Sequence, residues 1–384
     1  MPRFWRQRRC HSSSLQSLWP AQVRASAHWN TSRSLEVATR LLCDGYCVVH
    51  DAFPVAYLTQ LRHEMKTLSR NGHLYPNATH IVQNGGAKKR GTNDRTATTL
   101  LLEKRGIWET ELALPEIRRD ETDVPFLKDF YDQQVVSTVL RHALPAWLGM
   151  SGQMVKVQYN AGQDACFPMH FDTYGDDGKC VTAVLYLNRG WAPAHGGELV
   201  LFPFPRERVV VQPQFGTLVL FSSQQMLHRV MPALCPRYAL TTWLYHCPEP
   251  GWKAERDAFY RDRCIANGAV HASSDDEQVQ CCSMIGKLLR SPLRRHLLKL
   301  IYAQEWTQSL RASHVQTDAF GQYMATHAHE LQVIEAAVVQ VLGRFRAKDG
   351  GKSSKLPRTK EELMQRFADE DSQKLLQALQ LQWF

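Results

Sequence analysis

The sequence predicts an α+β protein built on a jelly-roll barrel, with supporting helices before it and a helical extension after it. Three observations carry this reading. From Met154 to Tyr245 the apolar pattern has period two, in about eight short Val-, Leu- and Tyr-rich runs separated by Gly and Pro turns. Ahead of that stretch, and again beyond Pro248, apolar residues recur at helical spacing. Inside the strand-rich stretch stand His170, Asp172 and His228, with Arg237 nine residues after the last of them.

Taken in chain order, residues 1–34 form a basic tail. Residues 35–44 read as a short helix ended by Gly45, 46–50 as a β-branched strand, and 55–69 as an amphipathic helix following Pro54. The polar, Gly-rich stretch 71–95 reads as a mobile loop, and 122–148 as one more helical stretch supporting the sheet. The barrel core is expected over 154–247 as a double-stranded β-helix, inside a catalytic unit of 35–247. In the extension, 248–384, Ser291-Pro292 caps a helix carrying Leu293, Leu297 and Ile301 on one face. Residues 348–357, KDGGKSSKLP, read as a flexible linker, and Thr359-x-x-Glu362 starts a last helix with Leu363 and Phe367. No motif gives this third of the chain a chemistry, so it reads as a buttress or a partner-binding extension. Gly196-Gly197 reads as a turn into a strand.

The charge is unevenly placed. Residues 1–35 hold six arginines, seven serines and no acidic residue, which leaves +3 of the formal +9 for the other 349 residues. That composition suits a mitochondrial transit peptide or a basic tail on a cytoplasmic or nuclear protein, and no apolar h-region follows it to make a secretory signal. The nearly balanced body offers no phosphate-tracking stripe, which argues against nucleic acid. No apolar run is long enough to span a membrane. The ten cysteines show no CxxC pair or regular framework and read as free thiols in a reducing compartment. The sequons at Asn30 and Asn77 are too weak a signal to change that reading.

Side chains alternate across a strand, so His170 and Asp172 point the same way and can share one ion. A second histidine from a strand folded back beside them completes two imidazoles and one carboxylate, the donor set of non-haem Fe(II) oxygenases. Arg237 adds a permanently charged fork suited to a carboxylate.

The runs HFDTYGDDGKCVTAVLYLNRGW (170–191), GGELVLFP (196–203), FGTLVLFSS (215–223), MLHRVMPA (226–233) and RYALTTWLY (237–245) resemble the 2-oxoglutarate and Fe(II)-dependent prolyl 4-hydroxylases. Within these, the likeness is greatest to the prolyl hydroxylase domain enzymes of the hypoxia-sensing class. It covers roughly 154–247, and GYCVVHDAF (45–53) extends it weakly. The resemblance implies His170, Asp172 and His228 as iron ligands and Arg237 as the partner of the far carboxylate of 2-oxoglutarate. It also places Tyr159, Tyr186, Thr241 and Trp243 around that co-substrate, Tyr159 only by allowing one extra residue before His170. It implies O2 and ascorbate as further requirements, succinate and CO2 as products, and a protein substrate with a target proline, held in part by the 71–95 loop. Two other readings stay open: a related dioxygenase acting on nucleic acid or a small molecule, and a non-catalytic sensor or scaffold of the same fold. AlkB-type demethylases usually place a second arginine where Trp243 stands, and the collagen-type enzymes usually place lysine where Arg237 stands.

Overall fold

The computed structural model describes residues 25–83, 98–266, 277–348 and 357–384, apart from 176 and 248. Most of the expected tail, the second half of the 71–95 loop and nearly all of the 348–357 linker lie outside the described residues.

Helix α1 (Thr31–Asp44) begins earlier than its apolar pattern, because the Asn30 side chain accepts the Arg33 N–H at 2.8 Å and caps it. Gly45 closes it in the left-handed region, φ 79°. Strand β1 (Tyr46–Val49) and helix α2 (Val55–Arg70) follow as expected. The next segment corrects the sequence reading. Residues expected in a loop form strand β2 (Tyr75–Gln83), antiparallel to β3 (Thr98–Glu111). A polar sequence is held extended there by its ladder and by Lys104, which donates to Asn77 Oδ1 at 2.6 Å and Thr79 Oγ1 at 2.9 Å. Composition alone does not reveal such pairing.

The expected helical stretch over 122–148 is broken into pieces. After the single turn α3 (Pro115–Arg118) come α4 (Pro125–Asp132) and α5 (Val135–Leu140), separated where Gln134 takes φ 48°. Pro145 then admits only a 3-10 turn, Ala146–Leu148.

Eight strands build the barrel: β4 (Met150–Asn160), β5 (Ala165–His170), β6 (Lys179–Tyr186), β7 (Leu199–Phe202), β8 (Val209–Val211), β9 (Leu218–Ser222), β10 (Leu227–Ala233) and β11 (Arg237–His246). They form two facing layers. One has the order β5-β10-β7-β8, and the other contains β9-β6-β11-β4, extended by β1 on one edge and by β3 and β2 on the other. This is the jelly roll, or double-stranded β-helix, expected from the period-two pattern. The larger layer is apolar on both faces. Val155, Val157, Leu185, Leu220 and Leu240 pack outward against α1, α2, α4 and α5, while Val184, Tyr186, Val219, Phe221 and Ala239 face the barrel interior.

The C-terminal helices are α6 (Trp252–Ala266), α7 (Glu277–Leu289), α8 (Arg294–Ile301), α9 (Ala303–Ser313), α10 (Asp318–Lys348), α11 (Lys360–Ala368) and α12 (Glu370–Gln377). Their apolar residues Leu298, Trp306, Leu310 and Phe367 join the same core as the barrel's Phe202, Phe204 and Leu227. Ser309 of α9 accepts the Met169 N–H of β5 at 3.0 Å, and Arg294, 2% exposed, donates to the carbonyls of Gln225 and Phe204 at 3.0 and 3.1 Å. Ser291 takes the Leu293 N–H, and Thr359 caps α11 through the Glu362 N–H, while Glu362 reaches back to Arg358 N–H. Among the described residues no helix is long and apolar enough to cross a membrane, and Cys47, Cys166, Cys180, Cys235 and Cys247 are free thiols.

Candidate metal centre and its pocket

His170 ends β5 and His228 begins β10 one residue in, and the antiparallel register sets these two residues directly opposite each other. Their rings lie 4.2 Å apart between centroids. Asp172 enters from the turn after β5, its Oδ1 lying 3.5 Å from His170 Nε2 and 3.7 Å from His228 Nε2. One donor atom from each of the three falls within 4.8 Å of the others, the only such group among the described residues.

Each donor is oriented by a neighbour. A carbonyl can only accept, so His170 Nδ1 donates to Pro168 O at 2.8 Å and His228 Nδ1 to Met226 O at 3.1 Å. With Nδ1 donating, each ring turns its Nε2 to the space they share with Asp172. Asp172 Oδ2 accepts from Thr182 at 2.5 Å, and Thr182 also meets Ser223 at 2.8 Å, which fixes the carboxylate plane. Burial pushes the His228 imidazole down to about 4, and the charge of His170 adds to this, so the ring is neutral near pH 7. Burial opposes ionisation of Asp172 but is outweighed by His228, then by the hydrogen bond and charge of His170, leaving the carboxyl well below the usual range. Two imidazoles and one carboxylate fit a divalent transition metal such as Fe(II).

The three donors open on a cavity of about 360 Å³ inside the barrel. Arg237, at the start of β11, lines it and is 3% exposed. Its guanidinium lies 4.8 Å from the Tyr186 ring, and among the described residues no carboxylate pairs with it. Neither Arg237 Nε nor Tyr186 Oη makes a hydrogen bond of good geometry. Burial pushes the Tyr186 phenol up while Arg237 pulls against it, so the hydroxyl stays a neutral donor. A buried guanidinium with no carboxylate beside it, its Nε unbonded, next to a buried phenol fits an anionic ligand at this end of the cavity.

Thr241 and Trp243 line the same cavity, two and three alternations along β11 from Arg237. Thr241 donates to Gln158 Oε1 at 2.7 Å, and the Trp243 ring lies under Lys179 at 5.2 Å and Lys156 at 5.8 Å. Tyr159 is a correction. It sits on the other face of β4, stacked on Tyr238 at 5.0 Å and Trp108 at 5.8 Å, and does not line the cavity. The alternation that turns Gln158 and Lys156 inward turns Tyr159 outward.

Sequence reasoning missed Thr182, which anchors Asp172, and the polar wall of β2, β3 and β4. In that wall Lys156 pairs with Glu109 at 2.6 Å and burial brings the Lys104 amine down to about 8. The signal for Lys156 and Gln158 was available, since they are two residues apart on a strand whose register is set by β11. Lys299, Trp306, Leu310, His314 and Tyr323 close another side of the cavity from the C-terminal helices. Nothing local marked them, because Trp306 and Leu310 read simply as an apolar helix face.

Residues 155–245 match the family model described as the 2OG-Fe(II) oxygenase superfamily. Prolyl hydroxylase EGLN3 of Mus musculus is 38% identical over 95 residues, 22% of this chain and 40% of the mouse protein. Egl nine homolog 1 of Homo sapiens is 37% identical over 95 residues, 22% of each chain. The match thus spans 40% or less of the length of these relatives. Among solved structures, that of prolyl 4-hydroxylases from Phytophthora capsici covers 93% of this chain and 99% of its own, at 24% identity and a TM-score of 0.58. That likeness in fold runs past the barrel into the C-terminal helices.

Proposed function

We propose that the 2OG-Fe(II) oxygenase domain of this chain hydroxylates a prolyl residue in a protein substrate, with 2-oxoglutarate and O2 consumed and succinate and CO2 released. One observation carries the reading: a three-donor cluster and a buried arginine without an anion line the same cavity of about 360 Å³. In this reading His170, Asp172 and His228 hold Fe(II), and Arg237 holds the far carboxylate of 2-oxoglutarate. When bound, iron and 2-oxoglutarate together supply the oxidant for the C–H bond.

The chain's own residues supply position. Thr182 and Ser223 fix the carboxylate plane of Asp172, and the Pro168 and Met226 carbonyls fix the imidazole rings. Tyr186 offers a hydroxyl to the anion held by Arg237, and Thr241 and Trp243 bound the space beside it. The identity shared with EGLN3 and Egl nine homolog 1 over the barrel favours a prolyl target. Tryptophan rather than a second arginine at 243 and the balanced body charge disfavour a nucleic-acid substrate. The intact donor set with Arg237 disfavours a non-catalytic scaffold. Ascorbate is assigned the role of keeping the iron reduced. The free thiols of Cys47, Cys166 and Cys180 favour a reducing compartment, mitochondrial or cytoplasmic and nuclear, and imaging a reporter fused to residues 1–40 separates these.

The test is mass spectrometry of proteins from cells with and without the chain, followed by incubation of the candidates with purified protein, iron and 2-oxoglutarate. Gain of one oxygen on a specific proline is expected. Demethylation of methylated single-stranded DNA, or oxidation of free proline with no protein modified, would move the assignment to a dioxygenase acting on nucleic acid or a small molecule.

A further inference from the structure

The cavity at the metal centre does not end at the barrel rim. A groove of about 880 Å³ runs between the rim and the C-terminal helices, and Phe171, Tyr174, Lys299 and Trp306 line both spaces. Phe171 lies between the two donors His170 and Asp172 in sequence, so the groove begins beside the centre. Its cations outnumber its acids. At the junction Lys299 is neutralised by Glu330 at 2.5 Å, and Arg295 lies against the rings of Phe171 and Tyr174 at 4.9 and 4.5 Å and donates to Thr173 O. Lining the groove but not the inner cavity are Lys179, which pairs with Asp177, together with Lys253, Arg256, Arg290 and Arg295. Lys253 and Arg256 flank the Trp252 ring at 5.9 and 5.0 Å, Arg256 also reaches Asp257 at 2.8 Å, and Arg290 donates to Gln380 O. Glu330 is the one acidic side chain among the described residues of the lining.

From this excess of cations we infer that the groove binds the substrate protein through an extended acidic segment adjoining the target residue, with carboxylates against Lys253, Arg256 and Arg290 and an uncharged residue on Tyr174 at the junction. The inference rests on the reading of the inner cavity as the hydroxylation site and adds the substrate's chemical class. Several cations around one low, half-enclosed groove concentrate an opposite charge and orient its approach. A peptide can place neutral residues at the junction and acids farther out. A phosphodiester chain bears a charge at every unit and would meet Glu330 at the narrow end, so the groove fits an acidic peptide better than a nucleic acid. Tyr174, 74% exposed, supplies an aromatic surface at the junction for the neutral residue to lie on.

Fluorescence anisotropy with three labelled peptides tests this. They share a central proline and differ only in carrying four aspartates, four asparagines or four lysines on one side, and a single-stranded DNA of equal charge is run beside them. The aspartate peptide should bind about tenfold more tightly than the asparagine one, with the gap closing as salt is added. Lys253→Glu and Arg256→Glu, singly and together, should abolish that preference while leaving the thermal midpoint and peptide-free 2-oxoglutarate turnover unchanged. Equal binding of the aspartate and asparagine peptides, or a preference that survives both substitutions, overturns the inference. Tighter binding of the DNA reassigns the groove to nucleic acid. Succinate formation without an aspartate preference removes the groove and leaves the iron site standing, whereas an aspartate preference without succinate formation supports the groove and removes the iron reading.

Discussion

Asp172 is tied at one oxygen by Thr182 and turns the other toward two imidazoles whose far nitrogens are occupied by their own strand's carbonyls. The spacing of His-x-Asp and a later His-Arg pair was legible in advance, but β5 ends at His170, so Asp172 reaches the histidines from the turn and not by strand alternation. Tyr186, Thr241 and Trp243 line the cavity with Arg237, as they share a face with it or sit across from it. Tyr159 does not, since an offset of one residue on a strand reverses the face. Arg237 carries the first prediction. Arg237→Ala should leave iron occupancy nearly intact and raise the 2-oxoglutarate requirement strongly, because a carboxylate stranded without its charged partner loses roughly 3–5 kcal/mol. Arg237→Lys should be intermediate, restoring the charge without the fork. Titration of succinate formation against 2-oxoglutarate checks both, and an alanine variant that saturates at the wild-type concentration would remove Arg237 from the co-substrate site.

Among the elements, α2 and α4 are joined by a buried carboxylate. Glu64, 5% exposed, accepts the N–H groups of Phe126 and Leu127 at 3.0 and 2.7 Å at the start of α4. Burial raises its pKa from 4.5 to about 7 despite those two bonds. A raised folded-state pKa means that the fold favours the protonated form. Its contribution is full below the unfolded value and is lost as pH rises through about 7. The thermal midpoint should therefore lose a component between about pH 4.5 and 7, and Glu64→Gln should flatten that part of the profile. Parallel profiles in wild type and variant would contradict this. The elements least legible in the sequence were β2 and β3. Their stability lies in a backbone ladder and in Lys104 bonded to Asn77 and Thr79, and a polar string carries no trace of its partner.

At the scale of the whole molecule, the C-terminal third is continuous with the barrel. Trp383 lies so close to Gly45 that a Cβ there would meet its ring at 2.2 Å, and Ser222 of β9 donates to the Trp383 carbonyl. The sequence showed these helices as apolar stripes and caps but could not show which face of the barrel they cover, because packing partners hundreds of residues apart leave no local pattern. A chain cut after Cys247 should expose Phe202, Phe204 and Leu227 and yield aggregated or molten protein by near-ultraviolet circular dichroism. A cooperative, folded barrel from that truncation would show the helices to be an independent unit.

All three scales meet in one claim, that His170, Asp172 and His228 hold the iron on which 2-oxoglutarate is turned over. The direct measurement is iron bound per chain under anaerobic dialysis, followed by succinate formed on admitting oxygen, for the wild type, Asp172→Ala and His228→Ala. The wild type should take up one Fe(II) per chain and form succinate, and each variant should keep its fold while losing most of both. Stoichiometric iron with undiminished succinate in both variants would contradict the account.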